Sequence, residues 1–368
     1  MTPVNRKKML YFIHIDWRWI KQRPQFLCES MGDFYDITAI YPRAYRTSRL
    51  VNLSAPHNVL LKGITRFPSF FVSRSRIMRN IEKTWVNLQL RHAAAHGPYD
   101  YIWTTTPLFW QQLKSAAPKA RLIYDCMDDN EGISDSSLRK YTLTEESGLL
   151  KNADLVFTSS ASLAGKIQKR GYAQEPHVIS NGISTRFLQH ISLDAAPAPK
   201  ANANDELHLL YYGTIAYWFD FRIMLRMLDS FPNLHLHIAG PADREIPSHA
   251  RLHYEGVVPH HELPRLVANH HALIMPFIIN DLIRSVDPVK LYEYISFGKP
   301  IITVWYDELK RFAPFINSYR DEDELRSILQ NLSSDLSISY TAEDARRFLS
   351  GNTWDFRTRQ IIGILNEP

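Results

Sequence analysis

The stretch PFIINDLIRSVDPVKLYEYISFGKP, Pro276 to Pro300, lies between two short apolar runs, Ala272 to Met275 and Ile301 to Val304. A strand, a connection containing one helix, and a second strand form a unit whose strands run parallel. Asp287 stands where a helix N-cap belongs, Pro288 suits the first helical position, and Gly298 suits a left-handed C-terminal cap. Lys290 then falls in the first turn, where its ammonium adds to the positive end of the helix and makes a site for a diphosphate. Glu293, three residues on, shares that face and can accept hydrogen bonds from vicinal sugar hydroxyls. The same spacing also describes a solvated Lys-Glu pair.

The alternation continues in both directions. Upstream, strands are predicted at Met9 to Ile15, Asp36 to Tyr41, Asn58 to Leu61, Tyr101 to Thr105, Leu122 to Cys126, Leu155 to Ser159 and Val178 to Ser180. Helical patterns lie between them at Gln22 to Met31, Arg76 to His96, Leu108 to Ala116, Glu145 to Asn152 and Ser162 to Arg170. Residues 191–206, ending in DAAPAPKANANDE, have no periodicity and read as a linker. The pattern restarts at Leu207 to Tyr212 and continues to a final helix at Trp354 to Leu365. The expected fold is α/β, with two Rossmann-like doubly wound domains facing a central cleft, residues 1–190 and 207–351.

Composition bounds the chemistry. At 368 residues the chain is long enough for two compact units, and 45% hydrophobic content excludes disorder. Two cysteines, Cys28 and Cys126, exclude a disulfide-stapled fold and suit a reducing compartment. Asn5-Arg6-Lys7-Lys8 before an apolar run imitates a signal peptide, but Asp16 cuts the run and no small-residue cleavage site follows. No segment approaches the roughly 18 to 20 uninterrupted apolar residues of a membrane span. Glycine, at 14 residues, is scarce, and neither opening strand leads into G-x-G-x-x-G, which argues against a dinucleotide oxidoreductase. There is no P-loop.

The net charge of +5 divides unevenly: residues 1–97 carry +11, residues 98–190 carry zero and residues 191–368 carry −6. Such a basic excess implies an anionic partner. It centres on Lys62 to Arg91, where Lys62, Arg66, Arg74, Arg76, Arg79, Lys83 and Arg91 alternate with Phe67, Phe70, Phe71, Ile77, Met78, Ile81 and Trp85. An anionic membrane surface fits this mixture. A basic amphipathic core helix fits it as well. Nucleic acid is not expected, because no helix-turn-helix, zinc or RRM signature accompanies the patch.

Further candidates are His14 and Asp16 at the end of the first strand and Arg23 at the start of the following helix, all read as acceptor-binding. A buried histidine and a solvated basic face are the plain alternatives. Gly213, Thr214 and Ile215 follow the first strand of the second half and read as a place of close approach to a nucleotide or as an ordinary strand-to-helix turn, and Arg284 reads as a second phosphate ligand. His260, His261, His270 and His271 bracket a helix and read as surface or cap residues.

The segment around Lys290 resembles the nucleotide-sugar motif of GT-B glycosyltransferases, roughly P-x-K-L-x-E-Y-x-x-x-G-K-P before a strand. NADLVFTSS at Asn152 to Ser160, Ser180 to Gly182 with Phe187, Tyr212-Gly213-Thr214 with Trp218-Phe219-Asp220, and Thr353-Trp354-Asp355 resemble other elements of these enzymes in the same order. HIDWRWIKQRPQ, His14 to Gln25, is similar to bacterial polysaccharide glycosyltransferases of the teichuronic-acid type. The resemblance implies an N-terminal acceptor-binding domain, a C-terminal nucleotide-sugar donor domain and a terminal helix, residues 352–368, that crosses back to the first.

Many retaining members carry Glu-x7-Glu here. The second glutamate matches Glu293, but Ser285 stands at the first position. The pattern is closer to the inverting xanthan-type glucuronosyltransferase, whose phosphate-binding lysine matches Lys290. Inversion needs a general base. The stretch LIYDCMDDN, Leu122 to Asn130, offers Asp125, Asp128 and Asp129. Asp128 matches the base of that enzyme, and clustered carboxylates raise one another's pKa. A helix N-cap and a metal site are the other readings of these acids. The resemblance implies a UDP-linked sugar as co-substrate, no metal, and a lipid-linked or growing surface polysaccharide as acceptor at the inner face of the cell membrane. A retaining transferase, a nucleotide-sugar epimerase and a non-catalytic polysaccharide-binding protein are the alternatives.

Overall fold

A computed structural model of the chain describes residues 6–44, 55–189, 191 and 206–367. Apart from its two end residues, the linker expected over 191–206 lies outside the described residues. The chain divides into two compact units, residues 1–181 with 354–368, and residues 182–353.

In the first unit the elements follow in the order β1 (Lys8–Phe12), α1 (Arg23–Met31), β2 (Asp36–Pro42), β3 (Val59–Ile64), α2 (Ser69–Arg74), α3 (Arg76–Ala93), β4 (Tyr101–Thr104), α4 (Trp110–Ala116), β5 (Arg121–Cys126), α5 (Ser136–Leu150), β6 (Leu155–Thr158), α6 (Ala161–Lys169) and β7 (His177–Val178). The strands form one sheet in the order β3-β2-β1-β4-β5-β6-β7, and every pair is parallel. Met9, Leu10, Tyr11 and Phe12 of β1 are all buried, as a strand covered on both faces requires. The order reverses between β1 and β4, and a crevice opens beyond the carboxyl ends of strands at such a switch point.

The second unit contains α7 (Thr185–Gln189), β8 (Leu207–Tyr212), α8 (Phe221–Ser230), β9 (Leu234–Ala239), β10 (Leu252–Tyr254), α9 (Leu263–Ala268), β11 (Ala272–Met275), α10 (Val289–Ser296), β12 (Ile301–Val304), β13 (Asn317–Tyr319), α11 (Glu322–Leu332) and α12 (Ala342–Ser350). Its parallel sheet runs β10-β9-β8-β11-β12-β13, with the switch point between β8 and β11. The last helix, α13 (Trp354–Leu365), belongs to the first unit and lies on α1. There Trp354 stacks on Phe26 at 5.2 Å, and Arg357 Nε donates to Asn181 O at 3.1 Å.

Several elements depart from their sequence reading. The fifth helix begins at Ser136, where Asp135 accepts from the Leu138 N–H, nine residues before the expected start at Glu145. Helix α2 and strand β13 carry no periodic signal long enough to announce them. Asp287 does not cap α10. Pro288 takes the cap position, while the Asp287 carboxylate is buried against Arg311 and within 3.5 Å of the Tyr292 hydroxyl.

Candidate functional site

In the second unit a tight cradle is assembled where β8, β9 and α10 meet. Gly213 follows β8 with φ +145°, and Gly240 follows β9 with φ +132°. A Cβ on Gly240 would fall 2.1 Å from Gly213 O, and one on Gly213 would fall 1.9 Å from Lys290 Cε. Only glycine permits this approach in that backbone region. Lys290 is the second residue of α10, in the first turn, where Leu291 N donates to Pro288 O at 3.1 Å and the positive end of the helix adds to the ammonium charge. Burial lowers the Lys290 pKa from its ordinary value, with the Glu293 charge opposing. The Tyr212 ring lies beneath the ammonium at 5.6 Å.

Glu293 is one turn further along α10, with its side chain 15% exposed. His260 Nε2 lies 3.1 Å from Glu293 Oε1, and the His260 ring packs on Phe187 at 4.6 Å. Burial alone would raise the Glu293 carboxyl, but the His260 hydrogen bond and the Lys290 charge outweigh it and hold the pKa below the ordinary value. His260 thus belongs beside the cradle, a position the sequence reading missed.

The other predicted donor residues sort differently. Thr214 O accepts from the Tyr211 hydroxyl at 2.9 Å. Ile215 is fully buried and its N–H is taken by Pro241 O, so it braces the loop. Arg284 is exposed on a 3₁₀ turn, Ile283 to Ser285. Ser285 is buried and its hydroxyl donates to Asp281 O at 3.2 Å, so no carboxylate occupies that position. Lys299 donates to the Ala268 and His270 carbonyls at the end of α9, a structural role for the lysine of the GKP triplet.

In the first unit the three clustered carboxylates are distinct. Asp125 is fully buried and paired with Arg23, whose guanidinium also donates to Ile179 O at 2.7 Å. Arg23, expected to meet an acceptor, is 2% exposed and turned wholly inward. Asp129 is buried between Lys166, at 2.7 Å, and Arg170, which hold its pKa below the ordinary carboxylate value against the opposing effect of burial. Asp128 is the exposed one. Among the described residues no recorded hydrogen bond or ion pair reaches its carboxylate. Although the residue reaches solvent, the bulk of protein around its carboxyl displaces water, and this, with the Asp125 and Asp129 charges, raises its pKa despite Arg23. That combination is what a general base needs.

His14 lies at the end of β1 with Nδ1 2.8 Å from Thr105 Oγ1, and burial together with Arg66 lowers its pKa to about 4, so the ring is neutral near pH 7. Asp16 is buried in a latch, accepting from Arg18 Nη2 at 2.9 Å and Ala44 N at 2.7 Å. Among the described residues no group of three or more His, Cys, Asp or Glu is arranged to hold a metal ion.

Histidines also gather at the opposite, amino-terminal end of the second sheet. His208, His235, His237 and His253 share one face of β8, β9 and β10, and their rings stack at 4.6 to 5.4 Å. His270, expected at the surface, is 6% exposed and meets His237 edge to face at 4.4 Å. His237 Nδ1 lies 2.7 Å from Glu255, and His237 Nε2 lies 2.9 Å from His208 Nδ1.

No protein-family model matches the chain. TuaH of Bacillus subtilis, which carries the name of a teichuronic acid biosynthesis glycosyltransferase, is 23% identical over 252 residues, 64% of this chain and 63% of that protein. The match therefore spans less than two thirds of that relative. Among solved structures, sucrose-phosphate synthase from Thermosynechococcus elongatus superposes with a TM-score of 0.70 at 14% identity, covering 98% of both chains. The lipopolysaccharide outer core galactosyltransferase WaaB gives 0.66 at 12%, covering 97% of this chain and 99% of that one. HepE of Anabaena, solved with UDP and glucose, gives 0.66 at 15%, covering 98% and 99%. The chain has the GT-B fold. Asp128 lies in the first unit and Lys290 in the second.

Proposed function

We propose that the chain is a nucleotide-sugar-dependent glycosyltransferase that uses a UDP-linked donor and transfers one sugar, with inversion, to a lipid-linked or growing surface polysaccharide. The observation that carries the donor reading is the Lys290 ammonium seated against Gly213 at the start of α10. Lys290 and the positive end of α10 neutralise the leaving diphosphate, and Glu293 accepts from the ribose hydroxyls. Asp128 takes the proton of the acceptor hydroxyl as its oxygen bonds to the anomeric carbon. The carbon–oxygen bond to the diphosphate breaks, and its electron pair leaves on the UDP oxygen. Support for inversion comes from Asp128, whose carboxylate is unpaired among the described residues, and the buried serine at position 285.

Acceptor binding is assigned to His14, on the same unit as Asp128. No described helix is long and apolar enough to cross a membrane, and the acceptor is met at the inner membrane face through the Lys62 to Arg91 region. Titration with UDP tests the donor site: Lys290→Ala should weaken binding at least tenfold, and unchanged affinity would remove the reading. The product's anomeric configuration, read by NMR, tests the chemistry. Retention would reassign Asp128, and sugar isomerisation without an acceptor would indicate an epimerase.

A further inference from the structure

Helix α3 is apolar on two faces. Val86, Leu90 and Ala93 turn inward with the buried carboxylate of Glu82, whereas Ile77, Ile81, Trp85 and Leu88 form an outer row, 42% to 69% exposed. At 3.6 residues per turn the two rows stand about 140° apart, so the outer row is a face of its own and not the edge of the core stripe. Beside it α2 presents Phe70 and Phe71, each 56% exposed and packed edge to face at 5.5 Å. Six large apolar side chains in solvent on two consecutive helices mark an interaction surface.

The charge around this surface selects its partner. Glu82 is the only acidic residue between positions 62 and 91, and it is buried, accepting from Arg66 Nε and Phe67 N at 3.1 Å each. Arg74 and Arg76 are exposed between the two phenylalanines and the isoleucines, with the Arg74 guanidinium 4.2 Å over the Phe70 ring. A second copy of the chain would bring the same positive charge against itself. An anionic bilayer supplies both an apolar interior and phosphate-bearing headgroups.

We propose that α2 and α3 dock this enzyme on an anionic bilayer, with Phe70, Phe71, Ile77, Ile81, Trp85 and Leu88 entering the interface and Arg74 and Arg76 pairing with lipid phosphates. This deepens the function proposed above and rests on it for the lipid-linked acceptor. Docking itself needs no donor. Binding therefore has two separable parts, an apolar one that salt leaves intact and a charged one that salt screens.

The test is flotation of the full chain with phosphatidylglycerol–phosphatidylcholine vesicles, alongside UDP titration of the same samples. Arg74→Ala with Arg76→Ala should lower the partition constant about thirtyfold, at the per-cation contribution expected near an anionic leaflet. Ile81→Ser with Trp85→Ser should lower it about a hundredfold, taking the lower end of what burying a large apolar side chain contributes. UDP affinity should stay unchanged in both. Brominated lipid should quench part of the tryptophan emission, and Trp85→Phe should remove that part.

Equal flotation of wild type and the Ile81/Trp85 variant, or no quenching through Trp85, would overturn the proposal. So would a dimer in solution that the same two substitutions dissolve. Loss of UDP binding in Lys290→Ala with flotation intact supports both readings. UDP binding unchanged in Lys290→Ala, with flotation intact, would defeat the donor reading and leave the docking surface standing.

Discussion

Gly213→Ala isolates the contact on which the donor site depends. The new Cβ would stand 1.9 Å from Lys290 Cε, and ordinary contact begins at 3.4 Å, so the lysine tip must retreat by about 1.5 Å. An ammonium–phosphate hydrogen bond of about 2.8 Å, lengthened by that much, is no longer a hydrogen bond. Bonds to charged groups contribute about 1.5 to 3 kcal/mol, so UDP should bind about 10- to 150-fold more weakly. The substitution also strains the backbone at φ +145°. Gly298→Ala controls for this, since Gly298 has φ +63° and nothing within 4 Å of its would-be Cβ. It should lower the melting temperature at a cost of about 1 to 2 kcal/mol and leave UDP affinity intact. Isothermal titration with UDP and thermal melts on wild type and both variants read the two effects apart. Equal affinity losses in both variants, or an affinity within twofold of wild type for Gly213→Ala, would refute the reasoning.

Asp128→Asn should abolish transfer with UDP binding unchanged. Because the folded chain favours the protonated form, Asp128 contributes stability at low pH that is lost as pH rises through its raised value. The asparagine variant should therefore melt higher than wild type at pH 7.5, and the gap should close on acidification. The kcat/KM profile of wild type should fall on the acid side with a midpoint above the ordinary carboxylate value of 3.8. His260→Ala leaves Glu293 without its strongest stabilising contact and should weaken UDP binding a few-fold at pH 7, with a larger loss at pH 5.5, measured by the same titration. His235, His237 and His270 are all depressed, chiefly by burial, with His270 near 4. The stability they contribute is present above their ordinary value of 6.5 and is lost as pH falls from there toward 4, and His270→Leu should flatten the melting temperature over that window.

The sheets were legible because a parallel strand covered on both faces is written as an unbroken apolar run, as in MLYF of β1 and ALIM of β11. Helix α10 was placed within a residue by Pro288 and Gly298. Contacts between distant residues were not legible. Arg23 reads as a surface cation until Asp125, 102 positions away, is brought against it. His260 reads as a cap until the fold sets it beside Glu293, 33 positions on. For the histidine ladder a signal did exist: in LHLHIA the histidines fall on every second residue, which puts them on one face of the strand.

The return of α13 to the first unit affects how the chain is made. A ribosome makes all seven strands of the first sheet within residues 1–181, yet the helix that covers α1 is synthesised only after the whole of the second unit, residues 182–353. Until then Phe26 lacks its stacking partner Trp354, and the Asn181 carbonyl lacks the Arg357 donor. The first unit thus begins to form before the second and is completed only after the second has been made. A nascent or prematurely terminated chain leaves the Phe26 ring of α1 uncovered, and a chaperone or protease that binds there would distinguish it from the finished protein.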